Sequence, residues 1–104
     1  MQPEYIIKVH NPEFDVWGFL VIDNPTLGLG KGGIRMTPSV TEGEVGRLAR
    51  AMTYKNALAG IPFGGAKAGI AFDPKAHSAA DKKAVMEWFA RAIKPVLMKY
   101  YIAG

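Results

Sequence analysis

The spacing of apolar residues changes period at Thr41, and no other feature of this chain restricts its possible folds as much. Upstream, Glu4–His10 and Trp17–Asp23 are short runs rich in Tyr, Ile, Val and Phe, separated by NPEFDV. They read as two strands of an antiparallel pair. A third short strand, Gly33–Met36, follows a glycine-rich loop. At Thr41 the segment Thr41-Glu42-Gly43-Glu44 matches a capping box, in which hydroxyl and carboxylate satisfy backbone N–H groups that the first helical turn leaves open. Val45, Leu48, Met52 and Lys55 then fall three or four residues apart, on one helical face. Gly60 and Pro62 mark the end of that helix, and Ala68–Phe72 reads as a strand stopped by Asp73-Pro74. Strand, helix, strand implies a right-handed crossover and a parallel pair inside a mixed sheet.

A second helix is expected to begin near Ser78, with Met86, Phe89, Ile93, Val96 or Leu97, and Tyr100 on one face. Pro95 interrupts that pattern by removing a backbone donor and crowding the preceding turn, so a kink or restart is expected there. The fold class is therefore α/β, a mixed sheet with helices packed on it. The 104 residues suffice for one domain with a modest core. They do not suffice for a substrate domain plus a full dinucleotide-binding domain.

Composition removes several functions. The 13 Lys and Arg against 9 Asp and Glu leave a formal charge of +4, but the charges are scattered and the single basic doublet is Lys82-Lys83. Nucleic-acid binding calls for a basic stripe, so no nucleic-acid partner is expected. Absence of cysteine excludes a disulfide framework, a thiolate nucleophile and a cysteine-type zinc site, and fits a reducing cytoplasm. The start, MQPEYIIKVH, lacks the basic and apolar runs of a secretory signal, and no stretch approaches the ~20 apolar residues of a membrane span. A soluble, cytoplasmic protein without a membrane partner is expected.

The glycines and lysines carry the chemistry. Gly28-Leu-Gly30-Lys-Gly32-Gly33 fits G-x-G-x-x-G in letters, yet a dinucleotide fingerprint requires a strand before it and a helix directly after it. Here IRM and a Thr-Pro-Ser loop follow instead. Nor does Lys31, followed by glycine, meet the spacing of a phosphate-binding loop. Lys67 stands in PFGGAKAGI, among small residues, where an ammonium gains less access to water than on a helix face. Lys55 ends the apolar stripe of the first helix, so it either leaves the helix at its last turn or reaches into a cavity. Three solvated surface lysines are one reading. The other is that Lys31, Lys55 and Lys67 converge on a small anion, which glycines allow the backbone to approach.

KGGIRMTPSVT, MTYKNALAGIPFGGAKAGI and the following Asp73-Pro74 resemble, in order and spacing, the N-terminal domain of the glutamate/leucine/phenylalanine/valine dehydrogenases. The resemblance covers nearly the whole chain. It implies that residues 1–104 form a substrate-binding and dimerisation domain, with NAD or NADP held by a separate C-terminal Rossmann domain absent here. It also implies that Lys67 is the catalytic lysine, polarising the substrate carbonyl or assisting the attacking water. Lys55 matches the lysine that holds the α-carboxylate. Lys31 matches the lysine that meets the side-chain carboxylate in the glutamate enzymes. Met52 stands where some glutamate enzymes place a substrate-binding glutamine. Gly32, Gly33, Gly64 and Gly65 would line the pocket, and Pro62-Phe63 would fix a turn that aims Lys67.

The expectation is thus the substrate-binding and oligomerisation half of a glutamate-type dehydrogenase, whose complete enzyme oxidises L-glutamate to 2-oxoglutarate and ammonia. The family's catalytic aspartate lies beyond the segment matching YYIAG, and no cofactor is expected to bind this chain alone. Expected partners are a dicarboxylate substrate, further copies of the chain paired through the sheet edge, and a separate NAD(P)-binding domain. The alternative is a stand-alone oligomerisation or regulatory module that keeps the interface without the reaction.

Overall fold

A computed structural model describes residues 3, 5–24, 30–60, 64–96 and 101–103. Its strands are β1 (Tyr5–Asn11), β2 (Val16–Asn24), β3 (Gly30–Gly32), β4 (Ile34–Met36), β5 (Gly64–Ile70) and β6 (Tyr101–Ala103), and its helices are α1 (Glu42–Leu58) and α2 (Ala79–Ala92). The sheet runs β1-β2-β5-β3-β6, with β4 also on β5. The first two strands form the expected antiparallel hairpin, and β2 pairs antiparallel with β5. Its turn is closed by Asn11, whose Oδ1 accepts from the N–H groups of Glu13 and Phe14 at 2.9 and 3.2 Å.

Both β3 and β4 lie parallel to β5 in one unbroken register, Lys31 beside Gly65 and Ile34 beside Ala68. Ala68 N–H donates to the Gly33 carbonyl at 3.0 Å. The expected strand Gly33–Met36 is therefore the second half of a longer one that Gly33 divides. The parallel pair joined through α1 is present as the period change implied.

Strand β5 departs from expectation, spanning Gly64–Ile70 rather than Ala68–Phe72. Lys67 accordingly sits in the middle of a strand and not on a glycine turn, while Pro62 and Phe63 lie outside the described residues. The reason is that β5 is covered on both faces. Ala66, Ala68 and Ile70 point to the core shared with Val85, Phe89 and Ile93 of the α2 side. The alternate positions Gly65 and Gly69 lie under α1. A strand wedged between two helices has room only for small side chains, so it loses the β-branched signature by which strands are read.

Its C-terminal end is set by Thr37, whose N–H donates to the Ile70 carbonyl at 3.2 Å and whose carbonyl accepts from Phe72 N–H at 3.2 Å. The chain leaves the sheet there, two residues before the expected stop.

Helix α1 begins as the capping box requires, with Thr41 Oγ1 accepting from Glu44 N–H at 3.2 Å, and ends before Gly60, whose φ is +69°. Its buried residues are Val45, Ala49 and Asn56. The expected stripe of Val45, Leu48, Met52 and Lys55 is centred elsewhere, and at about 100° per residue the helix is rotated from it by roughly 60°. Leu48 and Met52 become half-buried and Lys55 is exposed. Of the two outcomes left open for Lys55, the helix takes the first.

Helix α2 starts as expected, Ser78 Oγ accepting from Asp81 N–H at 3.1 Å. It stops at Ala92, and a short 3-10 turn, Lys94–Val96, contains Pro95. This is the restart that the missing N–H implies. Val85, Phe89 and Ile93 are buried and Met86 half-buried; Leu97 and Tyr100 fall outside the described residues. The molecule is thus three layers, with α1 on one face of the sheet and α2 on the other.

Close approach of α1 to β5 depends on the glycines. A Cβ on Gly65 would run into Oγ1 and N of Thr53 and lie 2.5 Å from the Ala49 carbonyl oxygen. One on Gly69 would lie 2.7 Å from Val45 Cγ2 and 2.9 Å from Val40 Cγ2. Gly46, on the outer side of the same helix, has nothing within 4 Å. Gly65→Ala is therefore expected to destabilise the chain by at least about 2 kcal/mol, because backbone atoms must move. Gly46→Ala is expected to stabilise it by about 0.5–1 kcal/mol, since only helix propensity changes. Urea unfolding of both variants beside the wild type checks this, and equal midpoints would refute the account of the helix–strand contact.

Candidate functional site

Two polar anchors fix α1 over the sheet. On the β2 side, Asp23 has a side chain only 5% exposed. It accepts from Arg50 Nε at 2.9 Å on each oxygen and from Thr53 Oγ1 at 2.7 Å. The hydrogen bond to Asp23, followed by one to Tyr54, pushes the Arg50 guanidinium further above its already high value. At the last turn, Asn56 is buried, and its Nδ2 donates to the Gly64 carbonyl at 2.8 Å. Among the described residues no buried side-chain polar atom lacks a partner. Sequence reasoning missed both anchors, although Asn56 is spaced seven residues from Ala49 on the same helical face.

These contacts orient the two flanks of α1. With Val45, Ala49 and Asn56 facing the sheet, Arg50 and Thr53 turn toward β2. Glu44 turns the other way, where Arg35 of β4 reaches it with Nε–Oε1 at 3.1 Å. Leu48, Met52 and Lys55 share this second flank, since steps of three and four residues return to nearly the same direction.

On the sheet below, Lys67 is the one polar side chain of β5 and is half-buried. Across β5, its lateral neighbours are Val21 of β2, fully buried, and Gly33, between β3 and β4. The backbone of Lys31 pairs with Gly65, and Gly32 follows it in β3. Lys67 alternates with Gly65 and Gly69, which lie under α1, and Met52 and Lys55 lie on the flank of α1 that turns toward β4.

Gly64 and Gly65 are placed differently from one another. Gly65 is covered by α1 at Ala49 and Thr53. Gly64 lends its carbonyl to Asn56. Two surface hollows lie among the described residues, one between the β1–β2 turn and α2 at Phe14 and Trp88, the other beside α1 at Asp23, Arg47 and Arg50. Neither contains Lys67.

In the described part of the glycine segment, Gly30–Gly32 is a strand, β4 follows it, and the next helix begins at Glu42. Among the described residues no helix N-terminus directly follows these glycines, as a dinucleotide fingerprint requires. Among the described residues no group of three or more His, Cys, Asp or Glu could hold a metal ion. No helix among them is long and apolar enough to cross a membrane.

The family model described as "Glu/Leu/Phe/Val dehydrogenase, dimerisation domain" matches residues 3–101. The NADP(+)-dependent glutamate dehydrogenase of Pyrobaculum calidifontis is 40% identical over 92 residues, covering 88% of this chain and 22% of the relative. The NADP-specific glutamate dehydrogenase of Synechocystis is 46% identical over 76 residues, 73% of this chain and 18% of the relative. Among solved structures, the hetero-hexameric glutamate dehydrogenase of Thermus thermophilus in its Leu-bound form superposes with a TM-score of 0.92 at 30% identity, covering 98% of this chain and 26% of that one. The L-tryptophan dehydrogenase of Nostoc punctiforme gives a TM-score of 0.81 at 28% identity, over 98% of this chain and 30% of that one. The chain therefore spans about a fifth of the length of the curated relatives it matches. With the family model covering almost all of its residues and the fold agreeing, the chain belongs to the glutamate/leucine/phenylalanine/valine dehydrogenase family, as its dimerisation domain.

Proposed function

We propose that this domain is the substrate-binding and oligomerisation part of a glutamate-type amino-acid dehydrogenase that oxidises L-glutamate to 2-oxoglutarate and ammonia. The observation that carries the reading is the position of Lys67, a lone half-buried ammonium in a central strand, beside Gly33 and alternating with the glycines that lie under α1. Relatives named as glutamate dehydrogenases support the choice of substrate.

In this reading the chain's own residues bind and orient. Lys55 holds the α-carboxylate by charge-assisted hydrogen bonds, which are about twice as strong as neutral ones. Lys31 meets the side-chain carboxylate, and Met52 packs along the carbon chain between them. Lys67 directs its ammonium at the oxygen on the α-carbon, stabilising the negative charge that develops there or holding the attacking water. Gly33 leaves space beside Lys67 for the substrate backbone.

Lys55 is exposed, so in this reading closure and exclusion of water come from outside this domain. NAD or NADP belongs to a separate nucleotide-binding domain, and the isolated chain is expected to produce no NAD(P)H from glutamate.

The exposed edge supports self-association. Among the described residues β1 is the last strand of the sheet order, next to β2, and Ile6 of β1 and Trp17 of β2 remain 47% and 45% exposed. An edge strand with unpaired backbone groups is a template for another strand. Homo-oligomers pairing through this edge are expected in analytical ultracentrifugation, and Ile6→Lys is expected to shift them toward monomer. A wild type that sediments as monomer at all concentrations would remove this part of the reading.

For the site, lysine-labelled protein is titrated with 2-oxoglutarate and, separately, with the branched 2-oxo acid of leucine while the side-chain NMR signals are followed. The expected result is a shift of Lys31, Lys55 and Lys67 with 2-oxoglutarate only, weakened at least tenfold in Lys55→Ala and Lys67→Ala. Silence with both ligands would instead point to a module that keeps the interface without the site.

A further inference from the structure

Beneath α1, Val45 and Ala49 pack with Phe19, Val21 and Val40, and Gly65 and Gly69 let the helix approach β5 closely. Hydrophobic contact is non-directional. The two polar anchors add directional contacts to it. Asn56 is 3% exposed, and Asp23 lies beneath the other flank of the same helix at 8%. Each has its partner within hydrogen-bond distance, Gly64 O at 2.8 Å and Thr53 Oγ1 at 2.7 Å. Displacement of α1 along β5 draws Asn56 away from the Gly64 carbonyl, and Thr53 and Arg50 away from Asp23, and leaving buried polar groups without partners is far more unfavourable than the loss of a few apolar contacts. One register is thereby singled out.

That register has a functional content, because Thr53 and Asn56 flank Lys55 in the helix and Gly64 precedes Lys67 in the strand by three residues. We propose that Asn56 and the Asp23–Thr53 pair are positioning residues that set the separation and orientation of Lys55 relative to Lys67. The inference rests on the reading of these two lysines as ends of one 2-oxo-acid site. The anchors touch no substrate in it; they hold the turn that carries one cation against the strand that carries the other.

The test compares Thr53→Val, which keeps the shape and removes the hydroxyl, with Thr53→Ser, which restores the hydroxyl, and adds Asn56→Asp, which sets an acceptor against the Gly64 carbonyl. Each folded variant is titrated with 2-oxoglutarate while the Lys55 and Lys67 side-chain signals are followed. Affinity is expected to fall about tenfold in Thr53→Val and Asn56→Asp and to return in Thr53→Ser. The Lys67 response should persist after that of Lys55 is lost. A purely structural role would lower stability without separating the two lysine responses.

Wild-type affinity in Thr53→Val and Asn56→Asp would overturn the inference while leaving the site reading intact. A wild type that does not bind 2-oxoglutarate would overturn the site reading, and the inference with it. Should both variants fail to fold, the wild type decides through the Asn56 side-chain amide protons. Slow solvent exchange that slows further with 2-oxoglutarate supports the anchor, and rapid exchange in both states overturns it.

Discussion

Contact between α1 and β5 at Gly65 is the constraint from which the other features follow. Thr53 N and the Ala49 carbonyl lie so close to that glycine that no side chain fits. Close contact on one face and the α2 core on the other limit β5 to glycine and alanine at nearly every position. A lysine in such a strand is costly unless its charge reaches water or an anion. Lys67 is half-buried, Val21 on one side of it has no exposed surface, and Gly33 on the other has no side chain. The small residues that bring the helix down thus also surround the one ammonium of the strand.

Much of this order was legible in the sequence, and the failures have definite causes. The hairpin was readable because two short runs rich in Tyr, Ile, Val and Phe are separated by NPEFDV. Both helix starts were readable because capping is local: Thr41 and Ser78 need only the N–H three residues on. The early part of β5 was not readable from periodicity, since GGAKAGI has the composition of a turn and owes its extended form to the helices around it. Strand β6 had no signal either; Tyr101–Ala103 belongs to the sheet through pairing with β3, a contact distant in sequence.

The rotation of α1 shows where helical periodicity becomes ambiguous. Val45-Leu48-Met52-Lys55 and Val45-Ala49-Thr53-Asn56 are both regular at spacings of three and four, and the first set is the more hydrophobic. Burial nevertheless follows the second. The glycine floor favours small side chains beneath the helix, and the partners that Asp23 and the Gly64 carbonyl offer compensate the polar groups of Thr53 and Asn56. Leu48 and Met52 move to the flank, where they remain half-buried. Hydrophobicity alone ranks the faces wrongly because it leaves out the shape and polar groups of the opposing surface.

The site residues were found by a different route. Periodicity singled out Lys55 for the wrong reason, as the end of a buried stripe, whereas the structure puts it on the exposed flank above the parallel strands. Only the linked motifs around Lys31, Lys55 and Lys67 marked the three as a set. In the proposed site their proximity follows from topology: the parallel register brings the backbone of Lys31 beside Gly65, two residues before Lys67, and α1 returns over the same strands. A crossover helix between two adjacent parallel strands necessarily lies near both. A cation at its C-terminal end, where the helix dipole favours positive charge, is then carried back to the N-terminal half of the next strand. In the proposed site, a strand–helix–strand unit with lysines on each of its three parts supplies cations from positions 24 and 12 residues apart in sequence.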